Sequence, residues 1–402
     1  MDLSLTEEQQ MLADSVRDLF TAAPGDPTAG GQAPEDGLGF RRDLWLQAAE
    51  TGLTGLPFDE KYGGSGAGIA EVWATTSTLG TLGAPDPLVD AAYLPGWIIS
   101  DLGTEEQKHH WLSRISSGES VVTVAHAEPG VGWEGARSTS VSATGGTLSG
   151  VKRAVTVPDA ADTFLVTTGG ADGPGVYLVR ADAPGVTVTL HRNAEWLRTG
   201  TVTFDGAEAE RLGDADSELV AAALRRATAL GRIAQGGRAV GLMATAVSQT
   251  VDYLKVRRQF GVTLNRFQVL THRAAQLYSD VELSRSMSLW AAAVAESLSG
   301  GAGSMSAADL DELTGSALDA HNFLLGRART VAEEAVQLHG GIGVTYEAAV
   351  SHYAAALTGF RQLYGGELES LAAGTSSPRL TVAPSALPGN AIATGAAGAP
   401  RS

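Results

Sequence analysis

The sequence predicts an α+β chain in three parts: an N-terminal helical domain, a central β-barrel domain and a C-terminal helical bundle. Three observations predict it. Apolar residues recur at helical spacing in residues 1–118, short β-branched runs replace them over 119–216, and the helical period returns over 217–373.

The first helix is opened by Thr6 with Gln9, a capping-box pair, and continued by Met11, Leu12, Val16, Leu19 and Phe20. A Gly/Pro-rich stretch from Ala22 to Gly39 separates it from a second helical segment, Leu44 to Leu53. Further helical patterns run from Ile69 to Leu82 and from Pro87 to Leu102, and Thr104-Glu-Glu-Gln opens another with the same cap chemistry. The β-branched runs are Val121 to Val124, Val151 to Val157, Phe164 to Thr168, Gly175 to Val179, Gly185 to Leu190 and Gly200 to Phe204, which read as a small barrel or sandwich. After Asp216 the helical period continues to about Ala373, with a Gly-Ser interruption near Ser299 to Ser304. Residues 374–402 are Ala/Gly/Pro/Ser-rich and read as a disordered tail.

Composition narrows the function. A chain of 402 residues with 44% hydrophobic and 18% charged residues can bury large cores in two or three domains. Its 45 Asp and Glu outnumber 28 Lys and Arg, and the net charge of −17 argues against nucleic acid and anionic membrane as partners. The absence of cysteine removes thiolate metal sites, disulfides and cysteine nucleophiles, and no metal site is expected. The acidic start lacks a secretory pattern and no apolar run is long enough to span a bilayer, so cytoplasm is the expected location.

Five motifs, taken in order, carry the functional signal. They are Glu60-Lys-Tyr-Gly-Gly; Gly103-Thr-Glu-Glu-Gln-Lys with Ser117-Gly-Glu; Ala127-Glu-Pro-Gly-Val-Gly; Arg257-Arg-Gln-Phe-Gly with Phe267-Gln268; and Gln337-Leu-His-Gly-Gly-Ile-Gly. As an ordered set over roughly residues 1 to 373 they resemble the acyl-CoA dehydrogenase family. The resemblance implies an FAD-dependent α,β-dehydrogenation, in which a carboxylate removes the proton alpha to a thioester carbonyl while the beta hydride passes to the flavin. It also implies that each FAD lies between two subunits, one cradling the ring and the other binding the pyrophosphate and adenosine.

The nucleotide half of this pattern is intact. Arg257 matches the arginine that pairs with a neighbouring subunit's pyrophosphate, a role suited to a planar, always-charged donor, and Phe260 and Gln268 match its partners. Gln337, Gly340 and Gly341 match the second adenosine-side contact. The plainer readings are a solvated arginine pair at Arg257 and Arg258, and a glycine helix cap after His339.

The ring half is not. Ala127 and Trp133 stand where the family has a threonine beside the flavin and a serine near the acyl-CoA, and Ala154 replaces its ring-covering tryptophan. Thr156 is kept as a candidate flavin contact, although threonine is also a good strand former. The two positions from which family members supply the base are Gly365 and Gly231, and glycine has no proton acceptor. No catalytic residue is therefore assigned, with Glu367 or Glu369 as the displaced alternative.

The expected function is that of one subunit in an α2β2 acyl-CoA dehydrogenase. A homologous partner would complete the site, the substrate would be an acyl-CoA thioester, and the acceptor would be of the electron-transfer flavoprotein kind. The alternatives are a self-sufficient homotetramer with a displaced base, and a scaffold that has lost the cofactor.

Overall fold

The computed structural model describes residues 5–22, 40–84, 87–130, 132–133, 141–169, 174–195, 197–298 and 300–375. The segment read as a tail lies outside them from 376 onward, and so does most of the Gly/Pro-rich stretch after the first helix.

Five helices build the first region: α1 (Glu7–Ala22), α2 (Arg42–Glu50), α3 (Ile69–Leu82), α4 (Leu94–Leu102), entered through a π-turn at Val89–Tyr93, and α5 (Glu105–Ser116). Both capping boxes form. The Gln9 amide N–H donates to Thr6 Oγ1 at 3.2 Å and the Gln107 amide N–H to Thr104 Oγ1 at 3.2 Å, each with the reciprocal bond in place. Each box satisfies amides that a helix start otherwise leaves unbonded.

The middle region holds β1 (Val122–Ala125), β2 (Ser142–Thr144), β3 (Thr147–Thr156), β4 (Thr163–Thr168), β5 (Gly175–Arg180), β6 (Val186–Arg192), β7 (Arg198–Glu208) and β8 (Glu210–Arg211). These form two four-stranded sheets, ordered β1-β4-β5-β8 and β2-β3-β7-β6, with β1 and β4 parallel. Phe164, Val166, Leu148, Val202 and Phe204 fill a core shared by strands of both sheets. Of the two forms the strand pattern left open, this is the two-sheet one.

The third region opens with α6 (Ser217–Val256), whose N-terminal amides are capped by Asp216. It continues through α7 (Gln268–Ser297), α8 (Ala307–His339), α9 (Ala349–Phe360) and α10 (Gly366–Thr375). The helical period does not run unbroken from Asp216 to Ser299. Between α6 and α7 the chain makes a hairpin, β9 (Arg258–Gln259) paired with β10 (Val262–Thr263). Its two-residue loop is Phe260–Gly261, with φ of +53° and +83°. That geometry is the primed turn that suits hairpin twist, and a phenylalanine in its first position gives no turn signal. At the crossing of α3 and α6, Gly80 and Gly241 let the two backbones meet where any Cβ would clash with a carbonyl. This crossing ties the first region to the bundle.

Candidate functional site

Two places hold the residues singled out above. The first is the corner where α6 ends, the hairpin turns and α8 ends. Arg257 closes α6, its amide donating to the Tyr253 carbonyl at 2.8 Å, and its side chain is exposed. Phe260 is 89% exposed at the hairpin tip, in edge contact with Phe267 at 6.0 Å. Gln268 begins α7, and Gln337 lies exposed in the last turn of α8. Gly340 and Gly341 follow it with open space where a Cβ would stand. The ends of α6 and α8 meet through Tyr253 and His339, whose rings stack at 4.5 Å and 24°. An exposed arginine fork, amide side chains and bare backbone on neighbouring turns suit a dinucleotide's pyrophosphate and adenosine. An exposed phenylalanine in a strained backbone is poorly explained by the folding of this chain alone.

The second place is the slot between α6, α10 and the loop after β1. Gly231 faces Tyr364, whose hydroxyl would lie 2.7 Å from any Cβ added there. Gly365, at φ +100°, faces the carboxylate of Glu369, 2.5 Å from such a Cβ, and Gly132 meets the same carboxylate from the other side. The three glycines therefore enclose a space that a tyrosine ring and a glutamate already fill. Trp133 closes it further, packing against Tyr364 at 5.0 Å and donating its indole N–H to Thr228 Oγ1 at 3.2 Å. Burial and the neighbouring Asp90 push the Tyr364 hydroxyl well above its ordinary pKa. Burial draws the Arg232 guanidinium down to about 10, partly countered by Tyr364 and Glu369.

Of the two carboxylates considered as a displaced base, Glu367 forms an ion pair with Arg361 at 2.6 Å. Glu369 is the one that reaches the slot. Thr156 stands apart from the α6–α8 corner, at the end of β3, where its carbonyl accepts from the Thr123 hydroxyl at 3.0 Å. Just before it the strand bulges, with Ala154 at φ +52° inside the register shift between Lys152 and Val155.

Sequence reasoning missed the network that holds this loop in place. Lys152, fully buried, donates to Glu128 Oε1 at 2.7 Å, to the His126 carbonyl at 2.9 Å and to Thr167 Oγ1 at 3.2 Å. His126 bonds Thr167 Oγ1 through Nδ1 at 2.9 Å and the Trp133 carbonyl through Nε2 at 3.0 Å. A carbonyl only accepts, so Nε2 carries the proton and Nδ1 accepts from the threonine hydroxyl. Burial, then the charge of Lys152, lowers the His126 pKa to about 4, and burial lowers Lys152 to about 8 against the pull of Glu128. Glu128 lies inside the Ala-Glu-Pro-Gly motif, but its partner 24 residues away is reached only through the sheet.

A helical domain, a two-sheet middle and a helical bundle, in that order, are the architecture of the acyl-CoA dehydrogenase fold. The comparisons with known proteins agree. The profile "Acyl-CoA dehydrogenase, N-terminal domain" matches residues 6–119 and "Acyl-CoA dehydrogenase, C-terminal domain" matches residues 221–372. The chain is similar to acyl-CoA dehydrogenase FadE28 of Mycobacterium tuberculosis, 31% identical over 346 residues, which span 85% of this chain and 95% of the relative. Among solved structures it resembles a variant of the Tcur3481-Tcur3483 steroid ACAD, with a TM-score of 0.80 and 29% identity over 93% of this chain and 98% of the other. It also resembles the ChsE4-ChsE5 complex from Mycobacterium tuberculosis, with a TM-score of 0.78 and 26% identity over 93% and 97%.

The chain belongs to the acyl-CoA dehydrogenase family. The family is FAD-binding, and membership implies FAD-dependent oxidoreductase chemistry. Among the described residues no helix is long and apolar enough to cross a membrane.

Proposed function

We propose that this chain is the non-catalytic subunit of a heteromeric, α2β2 acyl-CoA dehydrogenase. In this reading it holds the pyrophosphate and adenosine of an FAD whose ring lies in a homologous partner subunit, and that partner supplies the base. One observation carries the reading: Arg257, Gln337, Gly340 and Gly341 stand exposed at one corner, while Tyr364 and Glu369 occupy the space beside Gly231 and Gly365. Arg257 is the anion partner, Gln337 and Gln268 supply amide contacts, Gly340 and Gly341 allow close backbone approach, and Phe260 offers an apolar face. FAD, when bound, supplies the hydride acceptor. The ChsE4-ChsE5 assembly, by its name a complex, supports a two-chain arrangement, and the steroid ACAD supports a bulky acyl-CoA thioester as substrate. An electron-transfer flavoprotein is the kind of acceptor the chemistry asks for. Co-expression with a homologous acyl-CoA dehydrogenase chain, followed by flavin quantitation, tests the proposal. The expected result is one FAD per two chains, and a yellow, fully active preparation of this chain alone would sink it.

The position of Glu369 favours a second reading, a self-sufficient homotetramer in which that carboxylate acts from the Gly365 slot. Dye reduction by the chain alone that Glu369→Gln abolishes would establish it, and inactivity of the unsubstituted chain alone would remove it.

A further inference from the structure

We propose that Tyr253 and His339 are positioning residues of the nucleotide corner, their stacked rings bracing the end of α6 against the end of α8 so that Arg257 and the Gln337–Gly341 turn address one dinucleotide. The inference rests on reading that corner as the FAD nucleotide site.

Tyr253 lies one helical turn before Arg257, on the same face of α6, and its carbonyl accepts the Arg257 amide at 2.8 Å. His339 lies two residues after Gln337 and directly before Gly340, so each ring adjoins one of the two ligand-facing segments. The His339 ring is itself oriented, because Nδ1 donates to the Ala335 carbonyl at 2.8 Å. The turn Gly340–Val344 folds back over it, since a Cβ on Gly343 would lie 2.9 Å from that of His339. Both rings are half-buried and neither belongs to the main apolar core. Their face-to-face contact therefore contributes little to the packing of the bundle interior. What it holds is the separation of two helix ends, because stacked rings resist being drawn apart or tilted. The Arg273 guanidinium on α7 meets Glu334 on α8, so α7 is also tied to the last turns of α8. With the braces in place, the arginine fork and the bare glycine backbone keep a fixed mutual distance, which lowers the ordering cost of holding a ligand that touches both.

The test uses the full-length chain in whichever form retains FAD, alone or with its partner. FAD release is followed by the fluorescence of free flavin, and the melting midpoint by circular dichroism. Tyr253→Leu and His339→Ala should each speed release roughly five- to tenfold with little change in the midpoint. Tyr253→Phe, which keeps the ring face and leaves the His339–Ala335 hydrogen bond in place, should release FAD at the unsubstituted rate. Arg257→Ala serves as the reference. Fast release from Arg257→Ala with unchanged release from Tyr253→Leu and His339→Ala overturns the bracing role and leaves the nucleotide site standing. Fast release from Tyr253→Phe as well assigns the effect to general loosening and also overturns it. Unchanged release from Arg257→Ala, or no FAD on the chain in either form, overturns the nucleotide reading and the brace with it.

Discussion

The nucleotide corner and the base slot belong to one bundle and share α6, yet they are built on opposite terms. At the corner, polar and apolar groups that could pack inward stand exposed: Arg257, Gln268, Gln337 and a phenylalanine at 89% exposure. At the slot, groups that could face a ligand are turned inward. Tyr364 is 3% exposed, Arg232 is 5% exposed, and Glu369 lies against two glycines. A surface that keeps its binding groups outside and strained is organised for something beyond this chain, and a pocket whose volume is filled by its own side chains is organised for itself. The difference teaches that losing a catalytic residue and losing a site are separate events, since the space beside Gly231 and Gly365 is filled while the corner around Arg257 stays exposed.

The comparison can be broken most forcefully through the network beneath the slot. Lys152→Met would leave Glu128 charged and buried without its partner, and an urea-unfolding midpoint should report a loss of about 3–5 kcal/mol. Retained flavin in the surviving folded fraction would show the two regions to be independent. A pH series comes next. His126, and His321, which is buried on α8 against Phe360 and Tyr364, are held at about 4 and about 3, chiefly by burial, against an ordinary 6.5. Below pH 6.5 the unfolded chain takes up protons that the folded chain refuses, so stability should fall as pH drops from about 6.5 toward 3 and level off below. The cost is on the order of 3 kcal/mol for His126 and somewhat more for His321, and a flat stability profile over that window would contradict it.

Restoring a carboxylate at the slot probes the same contrast from the other side. Gly231→Glu must displace the Tyr364 hydroxyl, so it should destabilise the chain by about 1–3 kcal/mol and give no dye reduction with acyl-CoA. Gain of activity without loss of stability would show the slot to be open. At the corner, Arg257→Ala should weaken FAD binding about 10- to 100-fold while melting changes by less than ~0.5 kcal/mol. The smallest effect is expected at the hairpin tip. Phe260→Asn places a residue suited to positive φ there and should raise the stability of the isolated chain by up to about 1 kcal/mol, with flavin retention reduced.

Much of the fold was legible because its signals are local. Ile69 to Leu82 was read as one helix and is α3, and the Thr6 and Thr104 caps depend on residues three apart. The hairpin at Phe260–Gly261 was not read, because its first turn residue carries no turn chemistry. The strands β2 and β8 are three and two residues long and give little pattern of their own; β2 is held by its neighbour β3 across the Gly145-Gly146 turn, and β8 by the distant β5. At the site, the motifs name Arg257, Phe260, Gln268, Gln337 and the glycine pair, and the resemblance, anchored on Tyr364 and Gly241, places glycine at both base positions, Gly365 and Gly231. That Glu369 rather than Glu367 reaches the slot depends on α10 folding back over Gly365, with Glu367 drawn off by Arg361.

The sequence by itself determined which chemical groups exist: an arginine fork, amides and glycines in family order, and no carboxylate at either base position. Those are facts of covalent structure. Only the tertiary structure decided what became of the space. Trp133 comes from the loop after β1 and Tyr364 and Glu369 from the chain's last segments, and their side chains fill the space beside Gly231, Gly365 and Gly132. The same folding brought Tyr253 against His339, 86 positions apart in the numbering of a single chain. Which side chains share a volume is set by helix crossings and strand pairings that no local pattern encodes.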